Sequence, residues 1–151
     1  MKKLILKNNS IFGIYNLLEK TPFASKASRG RNKLQLRLQE KEKEFIAEKQ
    51  EIQKKYIQLD EEGNFIVLED GKSSPFLEDL TDEDRLNFVK EIDEVNNETL
   101  EISFNEYATK FEALFSALDN LETDLIGEDA LAYDELMDAY EANESKKEEG
   151  K

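Results

Sequence analysis

Among the side chains of this protein that could take part in catalysis or bind metal ions, carboxylates are the most abundant. The chain carries 35 Asp and Glu residues, but it has no histidine and no cysteine. Histidine is the usual general base near neutral pH, and cysteine supplies thiol nucleophiles and most structural zinc ligands. The chemistry that remains is that of carboxylates alone, as in glycosidases or Mg²⁺ sites.

The acidic residues form no spacing that is specific for a catalytic or metal site. The densest motif is Asp60-Glu61-Glu62-Gly63-Asn64. A calcium-binding EF-hand loop needs alternating Asp or Asn before the glycine and a Glu at its twelfth position, and these offsets are not met. No Gly-rich phosphate loop is present either. We therefore predict a protein that is not an enzyme, with no catalytic residue, no cofactor and no metal ion. A carboxylate enzyme is the alternative that a deep pocket with two converging buried acids would favour.

The charge is unevenly distributed along the chain. The formal net charge is −14. Residues 1–57 carry 14 Lys and Arg against 6 Asp and Glu, a net of +8, whereas residues 58–151 carry 7 against 29, a net of −22. Three interpretations follow. The two halves neutralise each other within the chain, or the acidic half faces a basic protein, or the basic half touches nucleic acid. The negative total disfavours the third, so no direct binding of nucleic acid is expected.

The first third of the chain alternates short elements with one long helix. Leu4-Ile5-Leu6 predicts a strand, and Ile11, Ile14, Tyr15 and Leu18 predict a helix that Thr21-Pro22 ends. The stretch 23–32 is predicted as a loop with a basic cluster. Residues 33–56 contain no Gly or Pro and predict a helical arm.

The arm has a narrow apolar seam. Leu38, Phe45 and Ile52 are spaced by seven residues, with charged residues between them. Such a seam suits either an intermolecular contact, which allows a homodimer, or one side of a helical hairpin within the chain.

The remaining elements are predicted from turns and apolar periodicity. Residues 56–68 predict a β-hairpin around the acidic turn, followed by a loop at 71–76. Thr81 begins a helix that runs to about Asn96 and buries Val89 and Ile92, with Phe88 and Val95 as further candidates for burial. A strand over 100–104 precedes two helices separated by Gly127. Their apolar positions are Tyr107, Phe111, Leu114, Phe115, Leu118 and Leu121 in the first, and Ala130, Tyr133, Leu136, Met137 and Tyr140 in the second.

Together these elements predict a predominantly helical α+β fold. It comprises a single domain over residues 1–143 with a projecting helical arm at 33–56, the hairpin at 56–68, a small antiparallel sheet and two to three further helices. Residues 144–151 are predicted to be a flexible charged tail. A doubly wound sheet is excluded because no βαβ repeat appears.

The order of motifs resembles a family of small proteins of unknown function from tailed phages and prophages of Gram-positive bacteria. The resemblance rests on Lys54-Lys55-Tyr56, the following turn through Phe65-Ile66-Val67, the charged helix over 84–95, the strand over 100–104 and Asp134-Glu135-Leu136-Met137. The family usually has a glycine where Ile57 stands here. The resemblance implies a phage origin and action inside an infected bacterium, and it assigns no residue a role.

Membrane insertion is not expected. The apolar run near the N-terminus is three residues long, whereas a signal peptide needs about 7–15 and a membrane span about 18. The expected location is the cytoplasm of the bacterial host, or the virion.

The function predicted from these observations is that of a phage accessory protein that binds another protein. One alternative is an acidic inhibitor, in the extreme case a DNA mimic, of a host defence or transcription protein that binds nucleic acid. A second alternative is a phage tail or assembly component. The residues predicted to contact the partner are Arg31, Arg37, Phe45, Ile52, Asp60, Glu61 and Glu62.

Overall fold

The computed structural model describes residues 2–68 and 75–149, and these fold into five α-helices and two strands. In chain order they are β1 (Lys3–Lys7), α1 (Ile11–Lys20), α2 (Ser25–Tyr56), α3 (Asp82–Asn97), β2 (Thr99–Ser103), α4 (Ala108–Asp119) and α5 (Gly127–Glu149). The predominantly helical α+β class with a small antiparallel sheet is thereby confirmed.

The chain divides into two compact units. We call residues 1–42 with 98–151 the two-segment unit, and residues 43–97 the central unit. The span 1–143, which the sequence groups into one domain, contributes to both. Helix α2 has its first part in the two-segment unit and its last part in the central unit.

The sheet pairs two strands that are far apart in sequence. Strands β1 and β2 are antiparallel, with Lys3 opposite Ser103 and Lys7 opposite Thr99. Leu4 and Leu6 point into the core, as the alternation of side chains along a strand requires. The sheet therefore joins the beginning of the chain to the segment that leads into α4.

The core of the two-segment unit is built on α4. Phe111, Leu114, Phe115 and Leu118 are all buried, as their helical spacing predicts. Phe104 meets Phe111 edge to face, with ring centroids 5.1 Å apart. Edge-to-face pairs of this kind add stability beyond their buried area.

Helix α5 runs antiparallel to the segment formed by β1 and α1. At its beginning Asp129 pairs with Lys20, with 3.2 Å between carboxylate oxygen and Nζ. Near its end Glu144 pairs with Lys2 at 2.9 Å. Helix α5 thus runs alongside both β1 and α1.

The central unit contains the predicted turn but not a full hairpin. Leu59 forms a single bridge with Phe65, whereas Ile57 bridges to Phe76. Gly63 has a positive φ of 84°, which glycine tolerates without strain. The expected ladder over 56–68 is therefore shorter than predicted. Among the described residues it consists of the Leu59–Phe65 bridge and a bond from the Ile66 N–H to the Gln58 carbonyl at 3.4 Å, because Ile57 pairs with Phe76 instead.

Three other expectations need correction. Helix α2 begins at Ser25 rather than at 33, because Ala27 and Gly30 are buried and packing overrides the weak helix propensity of the stretch. Val89 in α3 is 54% exposed, and Val95 is the buried valine of that helix. In the described ranges four helices accompany α2, where two to three were expected.

The ends of two predicted segments lie outside the described residues. Helix α5 continues through Glu149, so the predicted tail is helical up to that residue, and residues 150–151 are not described. Most of the predicted loop at 71–76 is likewise outside the described residues. Within the described part of the chain, no helix has the length and apolarity needed to span a membrane.

Gly30 sets the distance between α2 and α4. A Cβ built on Gly30 would lie 2.2 Å from the carbonyl oxygen of Lys110, which is a backbone atom with little freedom to move. Gly13 faces Ala132 more loosely, since a Cβ there would lie 3.6 Å from the Ala132 Cβ, an ordinary contact.

Gly30→Ala should destabilise the protein although alanine is the better helix former. The gain in helix propensity is at most about 1 kcal/mol, whereas forcing two packed helices apart costs about 1–3 kcal/mol. Gly13→Ala is the matched control, and it should be neutral or stabilising by up to about 1 kcal/mol. Urea unfolding measures both. Equal midpoints for the two variants would contradict the close approach.

Candidate functional site

A groove follows one side of α5 in the two-segment unit. It consists of two adjoining cavities. One, of about 400 Å³, separates β1 from α5 and is lined by Ile5, Leu6, Lys7, Ser10, Glu135, Asp138, Ala139 and Ala142. The other, of about 240 Å³, separates α1 from α5 and is lined by Asn9, Ser10, Phe12, Gly13, Glu128, Leu131, Ala132 and Glu135. Because Ser10 and Glu135 line both, the two cavities are parts of one groove.

The walls of the groove include large apolar side chains that face solvent. Phe12 of α1 is 68% exposed and Leu131 of α5 is 60% exposed, and both line the smaller cavity. Ile5 of β1 is 39% exposed at the larger one. Single exposed apolar residues are common, but three along one groove form an apolar surface of the kind found at binding sites.

The rim of the groove is acidic. Glu128, Glu135 and Asp138 contribute carboxylates, and Lys7 is the one cation among the described residues that line it. Apolar floors with a charged rim are the usual anatomy of a protein interface, and the sign of this rim favours a basic partner.

Asn143, the residue of α5 that follows Ala142 of the groove wall, bonds to the backbone of Lys3. Its carboxamide oxygen accepts from the Lys3 backbone N–H at 3.1 Å, and its Nδ2 donates to the Lys3 carbonyl at 2.7 Å. These are the two bonds that a residue of a neighbouring strand would make. The side chain of Asn143 therefore pairs the edge of β1 at Lys3.

A second, acidic cavity of about 300 Å³ lies between α4 and α5. Glu112, Asp119 and Glu141 line it together with Phe115 and Tyr140. The Phe115 and Tyr140 rings are stacked with centroids 4.3 Å apart. Glu112 is paired with Lys2, so Asp119 and Glu141 are the carboxylates that make the cavity attractive to a further cationic side chain.

Hydrogen bonds around Glu112 hold two neighbouring groups in their protonated forms. The Lys2 ammonium donates to Glu112 at 2.8 Å, and this bond, with a second to Glu144, raises the pKa of Lys2. The Tyr140 hydroxyl donates to the other Glu112 oxygen at 2.5 Å. Burial, and then this bond, raise the pKa of Tyr140. A lysine and a tyrosine that keep their protons are poor general bases.

Arg31 and Arg37, which the sequence predicted to contact a partner, both interact with residues of the two-segment unit. Arg31 donates to the Thr21 carbonyl at 3.3 Å and to the Ser28 hydroxyl at 3.3 Å, which anchors the start of α2. Arg37 pairs with Glu40 at 3.2 Å and lies over the Tyr107 ring at 5.3 Å. Lys33 and Lys110 approach the same ring at 5.2 and 5.5 Å. Both arginines thus have intramolecular partners.

The other predicted contact residues lie in the central unit. Phe45 and Ile52 of α2 are half-buried, and Lys49 lies over the Phe45 ring at 5.2 Å. The Asp60 carboxylate accepts from the backbone N–H groups of Glu62 and Asn64, both at 2.9 Å, so Asp60 shapes its own turn. Glu61 and Glu62 are exposed beside it. Of the seven, only the three acids are brought together.

The residues of the groove are absent from the sequence-based set. Three of them could have been identified from the sequence. Ile5, Phe12 and Leu131 are large apolar residues that fall outside the buried periodic pattern of their own elements. Asn143 carried no such feature, since its role depends on a strand about 140 positions away. Among the described residues, no three acids are grouped so that they could hold a metal ion.

Asn143→Ala should destabilise the protein, because Lys3 would lose both bonds at a half-buried edge. A cost of about 1–2 kcal/mol is expected for backbone groups left without partners. Asn120→Ala is the control, since Asn120 is exposed and only donates to Ser116 one turn earlier at 2.8 Å, and its cost should stay within about 0.5 kcal/mol. Chemical denaturation compares them, and equal costs would show that the Asn143 pairing is not structural.

Stability should fall at alkaline pH. A raised pKa of Tyr140 in the folded state means that stability is fully present below the unfolded value of 10.0 and is lost as pH rises through the folded value. Tyr140→Phe should therefore show a smaller loss of unfolding free energy between about pH 9 and about pH 11. Glu112→Gln should also flatten the profile, and Glu106→Gln, which removes a carboxylate beside Arg37, should not. A wild-type slope in Tyr140→Phe would contradict this linkage.

Comparison with known proteins places the chain in a family. No curated protein and no solved structure matches it. A family model described as "Protein of unknown function (DUF1617)" matches residues 2–149, nearly the whole chain. This confirms the expected membership in a family without an assigned function. The chain belongs to the DUF1617 family.

Proposed function

We propose that this protein is a non-enzymatic phage accessory protein that binds another protein inside the infected bacterium, and that the groove along α5 is the binding surface. The observation that carries the proposal is the exposure of Phe12 and Leu131, 68% and 60%, on the two helices that border one cavity. The phage origin is supported by the order of motifs described for the sequence.

Burial of these side chains provides the driving force for binding. Fully covering a Phe or Leu side chain is worth about 1.5–3 kcal/mol each, before the entropic cost of association. Rigid helices hold both side chains, so little conformational entropy is lost at this surface when it is covered. The floor of small residues (Gly13, Ala132, Ala139 and Ala142) lets a partner backbone approach closely.

The acidic rim selects the partner by charge. Glu128, Glu135 and Asp138 favour Lys or Arg on the opposing surface, and the total charge of −14 steers a basic protein toward the molecule. A virion component that assembles with the protein would use the same groove.

A second candidate function is inhibition of a host protein that binds nucleic acid. The acidic cavity between α4 and α5 favours it, because Glu112, Asp119 and Glu141 face one space lined by the stacked Phe115 and Tyr140 rings. Carboxylates in such an arrangement resemble backbone phosphates in charge. This alternative uses a different face of α5, so variants separate the two.

A photo-crosslinking amino acid in place of Phe12 tests the proposal. In bacteria that carry the phage, illumination should give one discrete adduct, because Phe12 is covered by the partner. The matched control places the crosslinker at Leu36 of α2, which is 51% exposed but does not line the groove. No discrete adduct is expected there.

Two further measurements sharpen the result. Phe12→Ser should weaken recovery of the adduct partner at least tenfold, and binding should weaken as salt is raised from about 50 to about 500 mM, since exposed charges are screened. Loss of the partner with Asp119→Asn and Glu141→Gln, but not with Phe12→Ser, would favour the second candidate. Identical adducts at Phe12 and Leu36, or none at either, would overturn the groove as a binding surface.

A further inference from the structure

We infer that the occupant of the groove is an extended segment of the partner protein, which adds to β1 as a third strand. This inference rests on the proposed function, and it specifies the binding mode. The larger cavity provides the space, the edge of β1 provides main-chain hydrogen-bonding groups, and the rim provides the charge.

Along β1, residues that bond to β2 alternate with residues whose backbone groups face the open edge. Phe104 donates its N–H to the Lys2 carbonyl at 3.1 Å, and Asn8 donates to the Glu98 carbonyl at 2.9 Å. With the register of β1 and β2, these bonds place Leu4 and Leu6 in the pairs that bond to β2. The N–H and C=O of Lys3 and Ile5 therefore point away from β2.

Lys3, Ile5 and Lys7 are the residues of β1 that face outward, and the first two differ in their partners. Lys3 is paired by Asn143, which makes the two bonds of a neighbouring strand. Ile5, two residues along the same edge, bonds no residue in the described part of the chain through its outward N–H and C=O. It is there that β1 and α5 separate to leave the cavity of about 400 Å³. An unpaired strand edge that faces an open cavity is a template for an added strand.

The length of the groove suits a short peptide segment. From Leu131 to Ala142 helix α5 advances about 16 Å, at about 1.5 Å per residue. An extended chain advances about 3.3 Å per residue, so about five residues span the groove. Ala139 and Ala142 have small side chains on the α5 side of this cavity, which leaves room for the backbone of an added strand beside Ile5.

The side-chain pattern of the occupant follows from the walls. Alternate residues of an added strand face Glu135 and Asp138, where Lys or Arg is favoured, and the intervening residues face the apolar side chain of Ile5. A second copy of β1 fits poorly, because antiparallel pairing centred on Ile5 would place Lys3 opposite Lys7 twice. Like charges directly opposite each other destabilise a strand pair. The partner is therefore a different chain with alternating basic and apolar residues.

Ile5→Pro tests the inference, because proline removes the outward N–H while leaving the bonds of Leu4 and Leu6 to β2. Proline is tolerated on an edge strand when its nitrogen faces away from the sheet. Ile5→Val, which keeps the N–H, is the matched control. The probe is a displayed library of random linear heptapeptides selected on the full-length wild-type protein.

Selection should enrich peptides that alternate Lys or Arg with apolar residues. The enriched peptides should bind Ile5→Pro at least tenfold more weakly than wild type, and Ile5→Val within about threefold. Peptide binding should also slow hydrogen exchange of the Ile5 amide. Circular dichroism, with the protection of the Leu4 and Leu6 amides, verifies that Ile5→Pro is folded. If Ile5→Pro is not folded, two N-methylated versions of the enriched peptide are used, one methylated at the odd-numbered residues and one at the even-numbered residues. Only one of the two should lose binding, because only alternate N–H groups of an added strand bond to β1.

Failure of this inference is distinguishable from failure of the proposed function. A discrete adduct at Phe12 that persists in Ile5→Pro, with enriched peptides that bind that variant as well as wild type, would keep the groove but reject strand addition. Equal tolerance of N-methylation in the two versions of the peptide would reject it too, as would a library with no enriched alternating sequence. Absence of any Phe12 adduct would reject the proposed function itself.

Discussion

The packing of α5 against β1 and α1 is the contact on which the rest of the two-segment unit depends. It joins residues from the two ends of the described chain through Lys2, Lys3 and Lys20 on one side, and through Glu144, Asn143 and Asp129 on the other. The two ion pairs, Lys2–Glu144 and Lys20–Asp129, are partly exposed and individually weak, so their main effect is to fix the alignment of α5. The burial of apolar side chains of α5, such as Ala132 and Leu136, adds hydrophobic stabilisation.

Much of the fold is predictable from the local periodicity of apolar residues. The α4 stripe of Phe111, Leu114, Phe115 and Leu118 is buried as its spacing predicts, and the start of α3 near Thr81 follows from its capping chemistry, in which the Thr81 hydroxyl and the Asp84 backbone N–H pair at 3.1 Å. Both features depend on residues a few positions apart. Elements with a strong local pattern are therefore predictable from one sequence.

Features that depend on distant partners were not predictable. The stretch before residue 33 appears loop-like in isolation, but Gly30 is where α2 approaches the backbone of Lys110, and tertiary packing makes that stretch helical. Ile57 was assigned to a hairpin, yet it pairs with Phe76. In both cases a long-range contact outweighed the local preference.

For the candidate site, too, some features could be predicted from the sequence and others depend on long-range contacts. Charge and composition directed attention to acidic surfaces, and the predicted contact residues Arg31 and Asp60 have intramolecular roles in anchoring α2 and shaping a turn. The groove is formed by residues that break the periodicity of their own elements, namely Ile5, Phe12 and Leu131. An apolar residue out of phase with its stripe is therefore the more informative indicator of a surface site.

The sequence separation of the groove walls has a consequence for synthesis on the ribosome. Asn143 bonds to Lys3 across 140 positions, so β1 cannot acquire its second neighbour until α5 has emerged from the exit tunnel. Contacts of such long range form late, because closing a long loop precedes any stabilisation that it brings. The nascent chain therefore displays β1 without its α5 neighbour until α5 has been synthesised, and the groove between them forms only then.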